Sequence, residues 1–189
     1  MKIIQRAKQV LLEPHLAWPE IEAEPADVAS LFRNYACILA LIPAVAGFIG
    51  VSLVGVSAFG VNFRLSIFAG LGQMITSYVM SLVMVYLLAL LIDALANTFG
   101  GTKNPINALK LSAYASTAAL LGGIFSIVPL LALLGIVPAL YSVYLIYTGL
   151  PVLMKVSREK SIIYTAVVSV GGLLGIFIIS LMISVFTGR

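Results

Sequence analysis

Asp93 is the ionisable residue deepest in the apolar runs of this 189-residue chain. It closes the stretch Leu87-Leu-Ala-Leu-Leu-Ile-Asp93 and is followed by Ala-Leu-Ala-Asn97. Tyr86, Asp93 and Asn97 share one helical face, at spacings of seven and four. A carboxylate beside hydrocarbon is costly, and the negative end of a helix dipole opposes it at a helix C-terminus. Asp93 therefore needs a partner, and Lys110 and Lys155 are expected on the same side of the membrane. Two chemistries are open: a carboxylate that binds a cation or proton or docks a partner, and an ion pair that fastens two helix ends. A lone carboxylate is not a transport signature, because proton relays hold several ionisable groups within the membrane.

Other reactive residues are sparse. His15 is the only histidine and Cys37 the only cysteine, so an internal disulfide or a Cys-based metal cluster is excluded. The chain has no HExxH and no GxSxG, and its many serines have no base beside them. No catalytic residues, metal or cofactor are expected. Glu13, Glu20, Glu22, Glu24 and Asp27 make residues 13–27 acidic; a solvated connector accounts for them more simply than a cation site.

A second group of polar residues lies in Tyr141-Ser-Val-Tyr144-Leu-Ile-Tyr147-Thr-Gly149-Leu-Pro151-Val-Leu-Met154. At about 100° per residue, Tyr141, Tyr144, Tyr147, Thr148 and Pro151 cover roughly one third of a helix circumference. A tyrosine facing lipid would strand its hydroxyl, so this row is expected to face other helices and make this span the one on which its neighbours pack.

The elements that position these residues follow from composition. The chain is 61% hydrophobic and 10% charged, with a mean hydropathy of +1.13. A soluble domain carries about 25% charge, so lipid is the expected solvent. Five spans are expected, at about 34–57, 70–93, 108–131, 134–154 and 161–186, each near the ~20 residues that cross the hydrocarbon. The break between the third and fourth is weakly marked, by Pro129, Gly135 and Pro138; one long span with a re-entrant segment is the alternative. Residues 34–189 thus form an all-α, five-helix transmembrane bundle. Residues 1–33 form a cytoplasmic amphipathic helix and a Pro-rich connector.

In the N-terminal helix, Ile3, Ile4, Ala7, Val10 and Leu11 lie on one face, with Lys2, Gln5, Arg6 and Gln9 largely opposite. Such a helix lies in the membrane interface or docks on the protein's own surface. The first long apolar run starts too late, and is too long, for a signal peptide. Pro14, Pro19 and Pro25 rule out one continuous helix through the connector. Trp18 is expected to anchor at headgroup level, and Pro25 to sit in the first turn of the helix that enters the membrane.

Orientation follows from basic residues. With the N-terminus inside, the inner segments hold Lys2, Arg6, Lys8, Arg33, Lys103, Lys110, Lys155, Arg158 and Lys160, and the outer ones Arg64 and Arg189. This bias predicts a cytoplasmic N-terminus and an outside C-terminus. It also explains the net charge of +4 without nucleic acid as a partner. Gly171 and Gly175 form a GxxxG, with Ser180 and Ser184 beyond it, and suit either an internal seam or a dimer face. Gly47, Gly50, Gly122 and Gly123 read as close-packing positions, and Pro43 and Pro129 as kinks.

A family resemblance rests on particular residues. Phe99-Gly-Gly-Thr102 precedes Ala108-Leu-Lys-Leu-Ser-Ala-Tyr114-Ala-Ser, and the run from Tyr141 to Met154 follows. With Pro14, Trp18 and five spans, this layout resembles the bacterial branch of the Yip family, five-span membrane proteins named for binding Ypt/Rab GTPases in eukaryotes. The resemblance implies a five-helix domain, a cytoplasmic N-terminus and a role in membrane organisation. The long N-terminal region and the Asp-Leu-Tyr-type motif of Rab-binding members are absent, which points to a bacterial inner-membrane protein. The expected function is a non-enzymatic membrane scaffold, in contact with lipid and with itself as a homo-oligomer or with other membrane proteins. The alternative is a small-solute or ion pathway lined by Asp93, Tyr114, Tyr144 and Tyr147.

Overall fold

The computed structural model describes the backbone of residues 3–58 and 61–187; the side chains at 56–58, 61, 62, 179, 180 and 182–187 are outside the description, and so are the serines at 180 and 184 as packing groups. Five helical segments are long and apolar enough to cross a membrane: Val28–Val54, Ile67–Leu95, Pro105–Ile127, Pro129–Leu153 and Arg158–Ile178. Hydrocarbon offers no hydrogen bonds, so each segment satisfies its backbone internally. Two helices precede them, α1 (Ile3–Leu12) and α2 (Pro14–Ala23).

The connector is mostly helical, contrary to expectation. Pro14 occupies the first turn of α2, where its missing N–H costs nothing, and Pro25 follows the helix end; only Pro19 lies inside. The first span starts at α3 (Val28–Leu31), with Asp27 rather than Pro25 at its start. The Ser30 amide donates to the Asp27 carboxylate, and the Ser30 hydroxyl accepts from the Asp27 amide. A π-helical turn, Phe32–Ala36, joins α3 to α4 (Cys37–Phe48), and a second, Ile49–Val54, ends the span. A small antiparallel pair, β1 (Val56–Ala58) and β2 (Val61–Phe63), leads to α5 (Ile67–Leu95).

The third span is α6 (Pro105–Ala115), α7 (Thr117–Gly122) and a 3-10 turn, Gly123–Ile127. It is the centre of the bundle: 61% of its most apolar stretch is buried, against 17% in the fourth span. This corrects the expectation that the tyrosine-bearing span is the hub. Ala108, Ser112, Ala113, Ala115 and Ala118 are small and buried, so neighbouring backbones can approach α6 and α7 closely. The helix breaks at Ser116, and polar side chains take up the groups left over. Ala119 donates its amide to Ser142 Oγ at 3.0 Å. Thr117 donates to the Tyr114 carbonyl at 2.6 Å, so the Tyr35 hydroxyl, also 2.6 Å away, donates to Thr117.

The fourth span opens with a 3-10 turn, Pro129–Gly135, and continues as α8 (Ile136–Leu153). Val128, extended at φ −111°, is the whole break between spans three and four. Pro129 therefore starts an element rather than kinking one. The final helix, α9 (Arg158–Thr187), packs on α5 and α8. A Cβ on Gly171 would lie 2.5 Å from Leu91 Cδ2, and one on Gly175 3.6 Å from Met84 Cε. These two glycines therefore line a seam with α5 within the chain.

The Phe99-Gly-Gly-Thr102 turn has two separate requirements. Gly100 adopts φ +75°, which disfavours side chains. A Cβ on Gly101 would come within 2.5 Å of the Met154 carbonyl oxygen. That close approach lets the Thr102 amide donate to Met154 at 2.8 Å, tying the α5–α6 turn to the end of α8.

Candidate functional site: the docked N-terminal hairpin

Five of the polar residues singled out in the sequence, Lys110, Lys155, Trp18, Tyr141 and Thr148, meet at the N-terminal hairpin. α1 turns at Glu13 into α2; α1 packs on α6 and α7, and α2 on α6 and α8. The face of α1 is not the expected one. Arg6 and Val10 are buried, whereas Ile4 is exposed. Arg6 can be buried because Glu24 and Glu20 pair with it and it donates to Gln9 Oε1 at 3.0 Å.

Lys110 is 4% exposed. Its ammonium donates to the carbonyls of Ile21, Glu22 and Glu24, at 2.8, 3.1 and 2.6 Å. These are unpaired carbonyls at the C-terminal end of α2, where the dipole favours a cation. Three ammonium donors meet three acceptors, a match that a planar guanidinium does not reproduce. Lys155 pairs with Glu22. Neither lysine partners Asp93, and no other ion pair reaches it among the described residues. This corrects the expected helix-end pairing: the negative end of α2 claims Lys110 and the Glu22 carboxylate claims Lys155. Asp93 Oδ1 is buried with no hydrogen-bond partner. Replacing Asp93 with Asn is thus expected to be neutral or to stabilise the fold by up to about 2 kcal/mol, because it keeps the shape of the side chain and removes a negative charge that no cation offsets. Thermal unfolding in detergent reads the difference.

Trp18 does not reach the headgroups. It is fully buried and donates its indole N–H to Thr148 Oγ1 at 3.0 Å. Its ring lies over Gly149, where a Cβ would sit 2.9 Å from Trp18 Cε2 and overlap Leu111. Gly149 is therefore the floor of the indole site. Gly149→Val is expected to displace the ring and cost about 1–3 kcal/mol through overpacking. Trp18 is the only tryptophan, so a red shift of its emission is the direct reading.

The tyrosine row is divided. The Tyr141 hydroxyl donates to the Leu11 carbonyl at 2.6 Å, so with Thr148 it faces the hairpin instead of another span. Tyr144 packs on Tyr141 with ring centroids 5.4 Å apart, yet it is 40% exposed. Tyr147 and Pro151 are half-buried. Tyr114 stacks edge-on against Tyr35 at 4.6 Å. It lines a cavity of about 160 Å³ with Arg6, Glu24, Asn34 and Tyr35. Asp93, Tyr144 and Tyr147 are not part of that cavity, so the residues of the imagined pathway are not brought together.

Three contributors were not singled out from the sequence. Arg6 sits one turn from Ile3 and Val10, so an i, i+3/i+4 row running through a charge was its only signal. Tyr35 and Tyr164 stand in apolar runs with nothing beside them to mark a role, yet Tyr164 is fully buried and donates to the Ile92 carbonyl.

Five apolar spans, four of them around the third, clasped by a docked hairpin, define a polytopic integral membrane protein. The chain belongs to the Yip1 domain family, whose model matches residues 8–185. It is similar to the inner membrane protein YohC of Escherichia coli K12, with 25% identity over 150 residues covering 77% of each chain. The YohC of Escherichia coli O6:H1 strain CFT073 matches to the same extent. No solved structure matches.

Proposed function

We propose that this chain is a non-enzymatic scaffold of the bacterial inner membrane, acting through helix–helix or partner-protein contacts. The observation that carries this reading is the use made of its polar side chains. Lys110, Arg6, Trp18 and Tyr141 each fasten one helix to another. The result is a rigid bundle whose outer surfaces are left to lipid and partners. Kinship with an inner membrane protein supports the location. The excess of basic residues on alternate connectors supports a cytoplasmic N-terminus and an outside C-terminus. Crosslinking in the native membrane tests the scaffold, with Tyr144→Ala and exposed α9 variants as controls. Discrete higher-mass species that these variants remove are expected; a monomer under all crosslinking conditions would refute the reading.

The second reading, an ion or small-solute pathway, is favoured by one observation, the unpartnered Oδ1 of Asp93. Liposomes holding the protein are expected to leak no faster than protein-free ones. Cation or proton flux that Asp93→Asn abolishes would reverse the order of the two readings.

A further inference from the structure

We propose that the cleft beside Tyr114 binds the headgroup of one zwitterionic phospholipid, its phosphate at Arg6 and its ammonium at Glu24. The inference does not depend on the scaffold reading.

The cleft has a volume of about 160 Å³, roughly ten times what one ordered water requires. It lies where α1, the α2–α3 connector, the first span and α6 meet. Its wall on the first span, Asn34 and Tyr35, belongs to the π-helical turn Phe32–Ala36, a distortion common at functional sites. Arg6 and Glu24 put one charge of each sign on the lining. Arg6 is almost wholly buried, and Gln9, Glu20 and Glu24 do not use all five of its N–H donors. The Tyr114 hydroxyl and the Asn34 amide also line the cleft and donate to nothing among the described residues.

Charge decides what fits. A bare anion would meet the Glu24 carboxylate, and a bare cation the Arg6 guanidinium. A group that carries both charges finds a partner for each. The phosphate takes the spare donors of Arg6, with Tyr114 and Asn34; the ammonium takes Glu24 and a neighbouring tyrosine ring. The depth suits a headgroup as well. Glu24, Pro25 and Ala26 precede the first span, and Asn34 is the last strongly polar side chain before that span turns apolar. α6 runs away from this end of the bundle, and helical side chains lean towards the N-terminus, so the Tyr114 ring reaches back to the same level. Ile38, Leu41 and Val45 follow Asn34 at helical spacing and are exposed in one row. From Asn34 to Val45 that row is about 16 Å long, so an acyl chain of the same molecule lies along it.

The experiment is native mass spectrometry of the full chain in detergent, offered equal amounts of phosphatidylethanolamine and phosphatidylglycerol with the same acyl chains. Wild-type protein is expected to retain one phosphatidylethanolamine per chain, about tenfold in preference to phosphatidylglycerol, which lacks the ammonium. Tyr114→Phe is expected to lower retention about fivefold, the worth of one hydrogen bond. Glu24→Gln keeps the shape of the side chain and is expected to erase the preference between the two lipids. Tyr144→Phe, outside the cleft, is expected to change nothing. Soluble phosphoethanolamine is expected not to displace the lipid, because it has no acyl chain to lie along the Ile38 row. Phosphatidylethanolamine with a photoreactive acyl chain is expected to label residues 38–45 of wild-type protein, and this map decides with the wild-type preference if a variant misfolds. Equal retention of both lipids by wild-type protein would overturn the proposal, as would labels spread evenly over all five spans. Unchanged retention in a folded Tyr114→Phe, or displacement by soluble phosphoethanolamine, would overturn it too.

Discussion

Replacing Lys110 with methionine is expected to release the N-terminal hairpin and to cost about 2–4 kcal/mol. The substitution keeps the length of the side chain and removes only the ammonium. Three carbonyls at the end of α2 then lose their donor. A hydrogen bond to a charged group contributes about 1.5–3 kcal/mol, and a cation at a partly buried helix C-terminus up to about 2. The sum falls short of three full bonds, because the Glu22 and Glu24 carbonyls lie near enough to the surface to find water. Arginine is not a rescue, since its fork cannot address three convergent oxygens. The reading is local: faster hydrogen exchange over residues 3–24 and a red-shifted Trp18 emission, with α5 and α9 unchanged. Unaltered exchange in the hairpin would show that Lys110 is not its clasp.

Trp18→Ala is expected to be at least as costly, about 3–5 kcal/mol, which is the usual loss for a large aromatic removed from a packed site. The indole is fully enclosed by α2, α6 and α8, and Gly149 leaves no side chain that could collapse into the space. The Thr148 hydroxyl loses its donor as well. Trp18→Phe separates the two contributions, for it keeps most of the ring and drops the N–H. It should recover most of the stability, leaving a deficit of about 1 kcal/mol for the hydrogen bond. Thermal unfolding in one detergent ranks the three proteins; a phenylalanine as damaging as alanine would mean that the hydrogen bond, not packing, holds the hairpin.

Both substitutions act on the same joint, and that joint is where sequence and structure part. Residues 28–178 could be divided into five spans from apolar run length alone, because crossing hydrocarbon demands about 20 apolar residues whatever the neighbours are. Gly122, Gly171 and Gly175 were visible as positions of close approach, since small residues in apolar helices have few other uses. The Trp18 ring, by contrast, was readable only as an amphipathic anchor. Gly149, the residue that accommodates it, lies far away in the sequence and carries no side chain to announce the pairing.

What the residues determined by themselves was the solvent, the helical class, the number of crossings and the family. These depend on composition and on run length, which each segment carries independently of the others. Tertiary structure alone decided that the third span is central, that Arg6 and Lys110 are buried, and that Asp93 has no lysine. Apolar side chains gain nearly as much from lipid as from one another, so hydropathy does not rank the faces of a span. Shape and the few polar partners rank them, and both exist only once the helices have met.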